Sequence, residues 1–250
     1  MFHSKCYITK EVTKWKTEDN CGQIWTYPAV HIFHGTMPEN IIKDVSEYCS
    51  KTNNDLAAEA VVANMRCKQS TLDMHDPLME EFITKMLQNV CTYINKCEQN
   101  YGKGSESRSV DIDNIWDGKM VPGDYNSLHF HETESKEGVS SIFYLKVPDN
   151  GTDSDHLWPN GSDNEVGSVQ KDEIIGHGLL KFRWGLLSPQ NSDSFSCPDH
   201  VTIIPKIGHF YIFPSSLHHE IMPFYENKDR WSVQINFNCW SESESSTQIL

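Results

Sequence analysis

Residues 208–236 read GHFYIFPSSLHHEIMPFYENKDRWSVQIN. Two short runs, GHFYIFP and RWSVQIN, are rich in aromatic and β-branched residues and bounded by Gly, Pro, Asp and Asn. That is the composition of strands closed by turns. Between them His218 and His219 adjoin. Successive side chains of a strand point to opposite faces, so only one of the two turns inward, and parity alone does not choose. On the second run Arg230 and Ser232 share a face by the same rule.

Working outward, the segments DIDNIWDGKMV (111–121), YNSLHFH (125–131), VSSIFYLKV (139–147), GLLKFRW (178–184) and HVTII (200–204) carry the same signature. Seven or eight short strands in succession predict a sandwich or barrel. The chain before residue 108 reads differently. Pro38 opens a segment with Ile41, Ile42, Val45, Tyr48 and Cys49 at helical spacing. A stronger helix starts at Asp76-Pro77, an N-cap followed by proline at the first helical position. Its apolar stripe runs from Leu78 to Cys97 and is expected to face the core. A further short helix is expected over 54–64. The acidic, Gly-, Ser- and Asn-rich stretch 149–176 reads as a long loop.

The chain has 250 residues, enough for one domain with a real core; 38% are hydrophobic and 22% charged. Its formal charge of −14 argues against a nonspecific nucleic-acid binder, which needs Lys and Arg to displace counterions. The first twenty residues hold no apolar core of a secretory signal, and no run is long and apolar enough to span a membrane. None of the eight cysteines forms Cys-x-x-Cys. Free thiols in a reducing, cytoplasmic setting are expected.

Chemistry enters at residues 123–135, GDYNSLHFHETES. His129 and His131 project from the same strand face, and imidazole is a common ligand for transition metals. A third ligand has to come from another strand, and the His218–His219 pair is the best source. Glu132 and Glu134 stand close enough in sequence to replace His131.

In this order, GDYNSLHFH, VSSIFYLKVP, GHFYIFPSSLHHEIMPF and RWSVQIN resemble the 2-oxoglutarate/Fe(II)-dependent oxygenases, nearest a branch found in marine bacteria and phages. The resemblance covers about residues 110–240. It implies an α+β fold with a double-stranded β-helix (jelly-roll, cupin-like) core and N-terminal helices packed against it. One oxygenase domain is implied: 1–107 mostly helical, 108–240 the β-helix core, 241–250 a flexible tail. It also implies an enzyme, a dioxygenase using Fe(II), 2-oxoglutarate and O₂ to hydroxylate an unidentified small-molecule or protein substrate, with release of succinate and CO₂. The family's Phe-Pro-Ser spacing selects His219 as the distal ligand, giving His129, His131 and His219 as metal ligands. Arg230 and Ser232 would bind 2-oxoglutarate, with Tyr125, Asn126 and Tyr144 lining its pocket. A guanidinium fork suits a carboxylate. The family usually keeps a carboxylate where His131 stands, so a neighbouring glutamate remains an alternative. Asn236 and Asn238 are candidates to orient ligands. Trp116, Trp184 and Trp231 read as core.

The same letters fit a cupin in part. Gly123 precedes His129 by six, and Gly208, Pro214 and His219 match, but the cupin glutamate falls out of step. A cupin-type metal dioxygenase or isomerase, or a non-catalytic β-helix binding module, is therefore the alternative. The Arg-x-Ser pair favours the oxygenase.

Overall fold

The computed structural model describes residues 6–8, 22–26, 30–52, 67–101, 108–148, 157–159, 178–184, 200–225 and 228–241. In chain order the elements are β1 (Cys6–Ile8), β2 (Gly22–Thr26), β3 (His31–Thr36), α1 (Glu39–Thr52), β4 (Lys68–Thr71), α2 (Glu80–Tyr101), β5 (Arg108–Met120), β6 (Asn126–His129) and β7 (Glu137–Lys146). There follow β8 (Leu157–Pro159), β9 (Leu180–Arg183), β10 (His200–Ile203), β11 (His209–Pro214), β12 (His218–Ile221) and β13 (Arg230–Ser241).

The strands form two antiparallel sheets. The larger runs β1-β5-β13-β7-β11-β3-β2, with β4 also paired to β5; the smaller runs β6-β12-β9-β10-β8. The long strand β13 lies between β5 and β7 at the centre of the larger sheet. Its two faces have different tasks. Val233, Ile235, Phe237 and Cys239 join one core cluster with Ile41 and Val45 of α1 and Phe82, Met86 and Val90 of α2. Phe82 packs on Phe143 of β7 at a ring distance of 5.0 Å. A second cluster, containing Ile142, Tyr144, Tyr211 and Phe213 from the larger sheet and Leu180, Phe182, Val201 and Ile221 from the smaller, fills the space between the sheets. Alternation along each strand thus sends one set of side chains to the helices and the other to the opposing sheet.

The capped helix forms with a difference. The Leu78 N–H donates to Asp76 Oδ1 at 2.9 Å, but residues 77–79 are a turn and the α-helix proper starts at Glu80. It also runs past the end of the apolar stripe, to Tyr101. The N-terminal portion contains strands as well as helices: β1, β2, β3 and β4 complete the larger sheet. β4, KQST, has no apolar residue and takes its structure from pairing with β5, which a local pattern cannot reveal. Within the stretch expected as loop, β8 pairs with β10. Ser241, assigned to the tail, closes β13. The expected helix at 54–64 and residues 242–250 lie outside the described residues. Among the described residues, no helix is long and apolar enough to cross a membrane.

Candidate metal centre and co-substrate pocket

The turn Pro214-Ser215-Ser216 after β11, closed by the Leu217 N–H on the Pro214 carbonyl at 2.9 Å, sends the chain back through the smaller sheet as β12. β12 pairs with β6 so that His219 lies directly opposite His129. Beyond β6, the His131 N–H donates to the Ser215 carbonyl at 2.9 Å, which carries His131 to the same place. The ligand nitrogens of His129, His131 and His219 all lie within 4.8 Å of one another. His218 takes the opposite face, exposed and against Phe130 at 5.2 Å. Glu132 and Glu134 are exposed and outside the cluster. Of the three residues considered for the position left open in the sequence, only His131 lies in the cluster.

Backbone carbonyls orient two of these rings, His129 and His219. The His129 Nδ1–H donates to the Ser127 carbonyl at 2.7 Å, and the His219 Nδ1–H donates to the Leu217 carbonyl at 2.9 Å. A carbonyl only accepts, so each Nδ1 carries the proton and each Nε2 presents a lone pair. The Nε2 atoms of His131 and His219 are 3.2 Å apart. Two nitrogens bound about 2.1 Å from one ion, near a right angle, stand roughly 3 Å apart. Burial lowers the pKa of all three rings: His131 to about 4, with the His129 charge as a second cause, and His219 well below the ordinary value. At neutral pH they are uncharged, the form that binds a metal. The donor set fits a divalent transition metal.

From this cluster a cavity of about 320 Å³ runs between the sheets to Arg230. Arg230 is fully buried. Its Nη1 donates to Ser232 Oγ at 3.2 Å, its Nη2 to the Tyr144 hydroxyl at 3.3 Å, and its guanidinium lies 4.9 Å from the Tyr144 ring centre. Its Nε has no partner, and among the described residues no carboxylate pairs with it. A buried guanidinium in this state calls for an anion that the described residues do not supply. Gly178, at φ +63°, comes so close that a Cβ there would stand 3.1 Å from Arg230 Cδ.

The structure brings together His129, His131, His219, Arg230, Ser232 and Asn126 around the cavity. Tyr144 stands behind Arg230, fully buried. Tyr125 corrects the sequence reading: it is 39% exposed and does not line the cavity. It precedes β6, whose first residue, Asn126, is the one turned inward. Trp116 is a second correction, since it lines the cavity beside His131 at a ring distance of 5.5 Å. Trp231 is core, its indole N–H donating to Asp117 at 3.0 Å. Asn236 accepts from Ser140 Oγ at 2.8 Å, while Asn238 accepts from the Ser135 N–H at 3.1 Å. Both brace the chain beyond His131 and touch no ligand ring. Gln69, Gly118 and Gln234 also line the cavity and went unread in the sequence. For Gln234 the signal was present, because it follows Arg230 and Ser232 at the same parity on β13.

The sequence profile of the family described as "Putative 2OG-Fe(II) oxygenase" matches residues 114–236. No curated protein matches the chain in sequence. Among solved structures, a Pseudomonas putida prolyl-4-hydroxylase is similar at 14% identity and TM-score 0.51, over 91% of this chain and 96% of that one. The non-heme alpha ketoglutarate dependent epimerase SnoN from nogalamycin biosynthesis aligns at 10% identity and TM-score 0.53, over 83% of this chain and 76% of that one. AviO1 from Streptomyces viridochromogenes Tue57 aligns at 10% identity and TM-score 0.51, over 84% and 90%. At these identities the structural likeness bears on the fold alone.

Proposed function

We propose that the chain is a 2-oxoglutarate/Fe(II)-dependent oxygenase, a dioxygenase that hydroxylates its substrate, with His129, His131 and His219 holding the iron and Arg230 with Ser232 anchoring 2-oxoglutarate. The observation that carries the residue assignment is the fully buried, anion-seeking Arg230 at the far end of the same cavity as three neutral imidazoles. We read the two sheets as the double-stranded β-helix, with α1 and α2 as its N-terminal buttress in a single domain. Cys67, Cys97 and Cys239 form no disulfide among the described residues, which supports a cytoplasmic setting.

Iron bound with 2-oxoglutarate and O₂ supplies the oxidising chemistry of the family, in which the co-substrate leaves as succinate and CO₂ and one oxygen atom reaches the substrate. The residues of the chain have three tasks. His129 and His219 present lone pairs fixed by backbone carbonyls, and none of the three imidazoles contributes charge, so the 2-oxoglutarate dianion balances the +2 of the metal. The Arg230 fork and the Ser232 hydroxyl offer charge-assisted hydrogen bonds to the distal carboxylate. The walls of both sheets keep water from the anchored co-substrate.

Purified protein supplied with Fe(II) is expected to convert 2-oxoglutarate to succinate. Arg230→Ala is expected to raise the 2-oxoglutarate requirement by about a hundredfold or more, the scale for a buried charged pair losing one member. Metal binding without any 2-oxoglutarate binding would return the site to a cupin-type enzyme.

A further inference from the structure

Three buried side-chain polar atoms among the described residues lack a partner: Arg230 Nε, Asn126 Oδ1 and Gln234 Oε1. All three residues line the one cavity. The co-substrate reading accounts for Arg230. It does not account for Gln234, because 2-oxoglutarate offers only acceptors and the free atom of Gln234 is itself an acceptor.

The Gln234 amide stands with its nitrogen toward Ser232, the orientation that the co-substrate reading favours. Ser232 Oγ accepts from Arg230 Nη1 at 3.2 Å and from Gln234 Nε2 at 2.8 Å. This arrangement leaves the Ser232 hydrogen for a carboxylate. The reversed amide would use up that hydrogen and weaken the anchor. With nitrogen toward Ser232, Oε1 is unpartnered, and Nε2 keeps a second N–H. Gly118 lies across from this group: a Cβ there would stand 3.3 Å from Gln234 Nε2 and 3.5 Å from Oε1. Its missing side chain leaves room for the amide. Trp116, paired in register with Gln234, adds a flat wall beside His131.

No Asp or Glu lines the cavity among the described residues, although the chain as a whole carries −14. A cationic group would enter without a counter-charge, and a carboxylate would meet an acceptor. An uncharged group that donates and accepts along one edge fits both atoms of Gln234. We propose that Gln234 is a specificity-determining residue and that the substrate class is a carboxamide, recognised by a paired amide–amide hydrogen bond. The inference rests on the 2-oxoglutarate reading of Arg230 and Ser232.

The test uses the full chain loaded with Zn(II) and 2-oxoglutarate, so that nothing turns over. Dissociation constants for isovaleramide, isovalerate, isoamylamine and isoamyl alcohol are measured by ligand-observed NMR. The carboxamide is expected to bind at least tenfold tighter than the other three. Gln234→Leu is expected to abolish that preference. Gly118→Ala, which crowds the same amide with a single methyl, is expected to reduce it. Equal or absent binding of the four probes would mean that water satisfies Oε1, and would overturn the proposal. So would a preference that survives Gln234→Leu. 2-Oxoglutarate binding is titrated in the same samples: its failure in the wild-type protein removes the co-substrate reading and this inference together, whereas 2-oxoglutarate binding without a carboxamide preference removes only the inference.

Discussion

A metal and a proton compete for the same imidazole lone pair, so the burial of His129, His131 and His219 has a measurable consequence. An ordinary imidazole, with a pKa of about 6.5, is roughly nine-tenths protonated at pH 5.5. Three such ligands would cost about a thousandfold in metal affinity between pH 7.5 and 5.5. Here burial lowers all three, His131 to about 4. A lowered pKa keeps a base neutral further into acid, so Zn(II) affinity is expected to fall by less than about tenfold over that interval. A competition titration with a chelator of known pH dependence checks it; a thousandfold loss would mean that the rings are solvated. At this scale much of the site was legible. Same-face parity joined His129 to His131 and Arg230 to Ser232, and motif spacing chose His219 over His218. Tyr125 and Trp116 were misread because a tyrosine before a strand and a tryptophan within one have the same local pattern whether they face cavity, core or solvent. Gly118 and Gln69 could not be found locally, since they meet Ser232 only through the register of β4, β5 and β13.

Elements whose apolar residues repeat with a clear period were legible, and those held by pairing alone were not. α1, the body of α2, and the strands β5, β7, β11 and β13 follow their hydrophobic patterns. β4 and β8 do not: four polar residues and three residues inside an acidic stretch become strands because an edge of β5 and of β10 is open to them. The helices matter to the site through one sheet. β7 sends Phe143 to α2 and the next residue, Tyr144, to Arg230. Phe82→Ala removes the ring packed on Phe143 and is expected to cost about 3–5 kcal/mol in urea unfolding. Metal stoichiometry at low temperature is expected to stay the same, because the proposed ligands sit on β6, on β12 and just beyond β6. Loss of metal in the folded variant would show that α2 also sets the geometry of the smaller sheet.

For the whole molecule, the buried guanidinium is a stability problem that the co-substrate solves under the proposed assignment of Arg230 as its anchor. Arg230 is fully buried between the sheets, with Ser232, Tyr144 and the Met120 sulfur as its neighbours and no carboxylate among the described residues. Placing a charge there without a counter-ion is costly, and replacing such a group by an apolar one of similar size is often stabilising. Arg230→Met is therefore expected to raise the unfolding free energy of the metal-free protein by about 1–3 kcal/mol. The same change is expected to abolish the added stability that 2-oxoglutarate gives the metal-loaded wild type, which at a thousand times its dissociation constant amounts to about 4 kcal/mol. Urea unfolding of both proteins, with and without Zn(II) and 2-oxoglutarate, separates the two effects. The expected crossing, with the variant more stable when empty and less stable when loaded, is the signature of a residue kept for its ligand. A variant less stable in both states would mean that the guanidinium holds the two sheets together by itself, and the anchor would have to be sought elsewhere along the cavity.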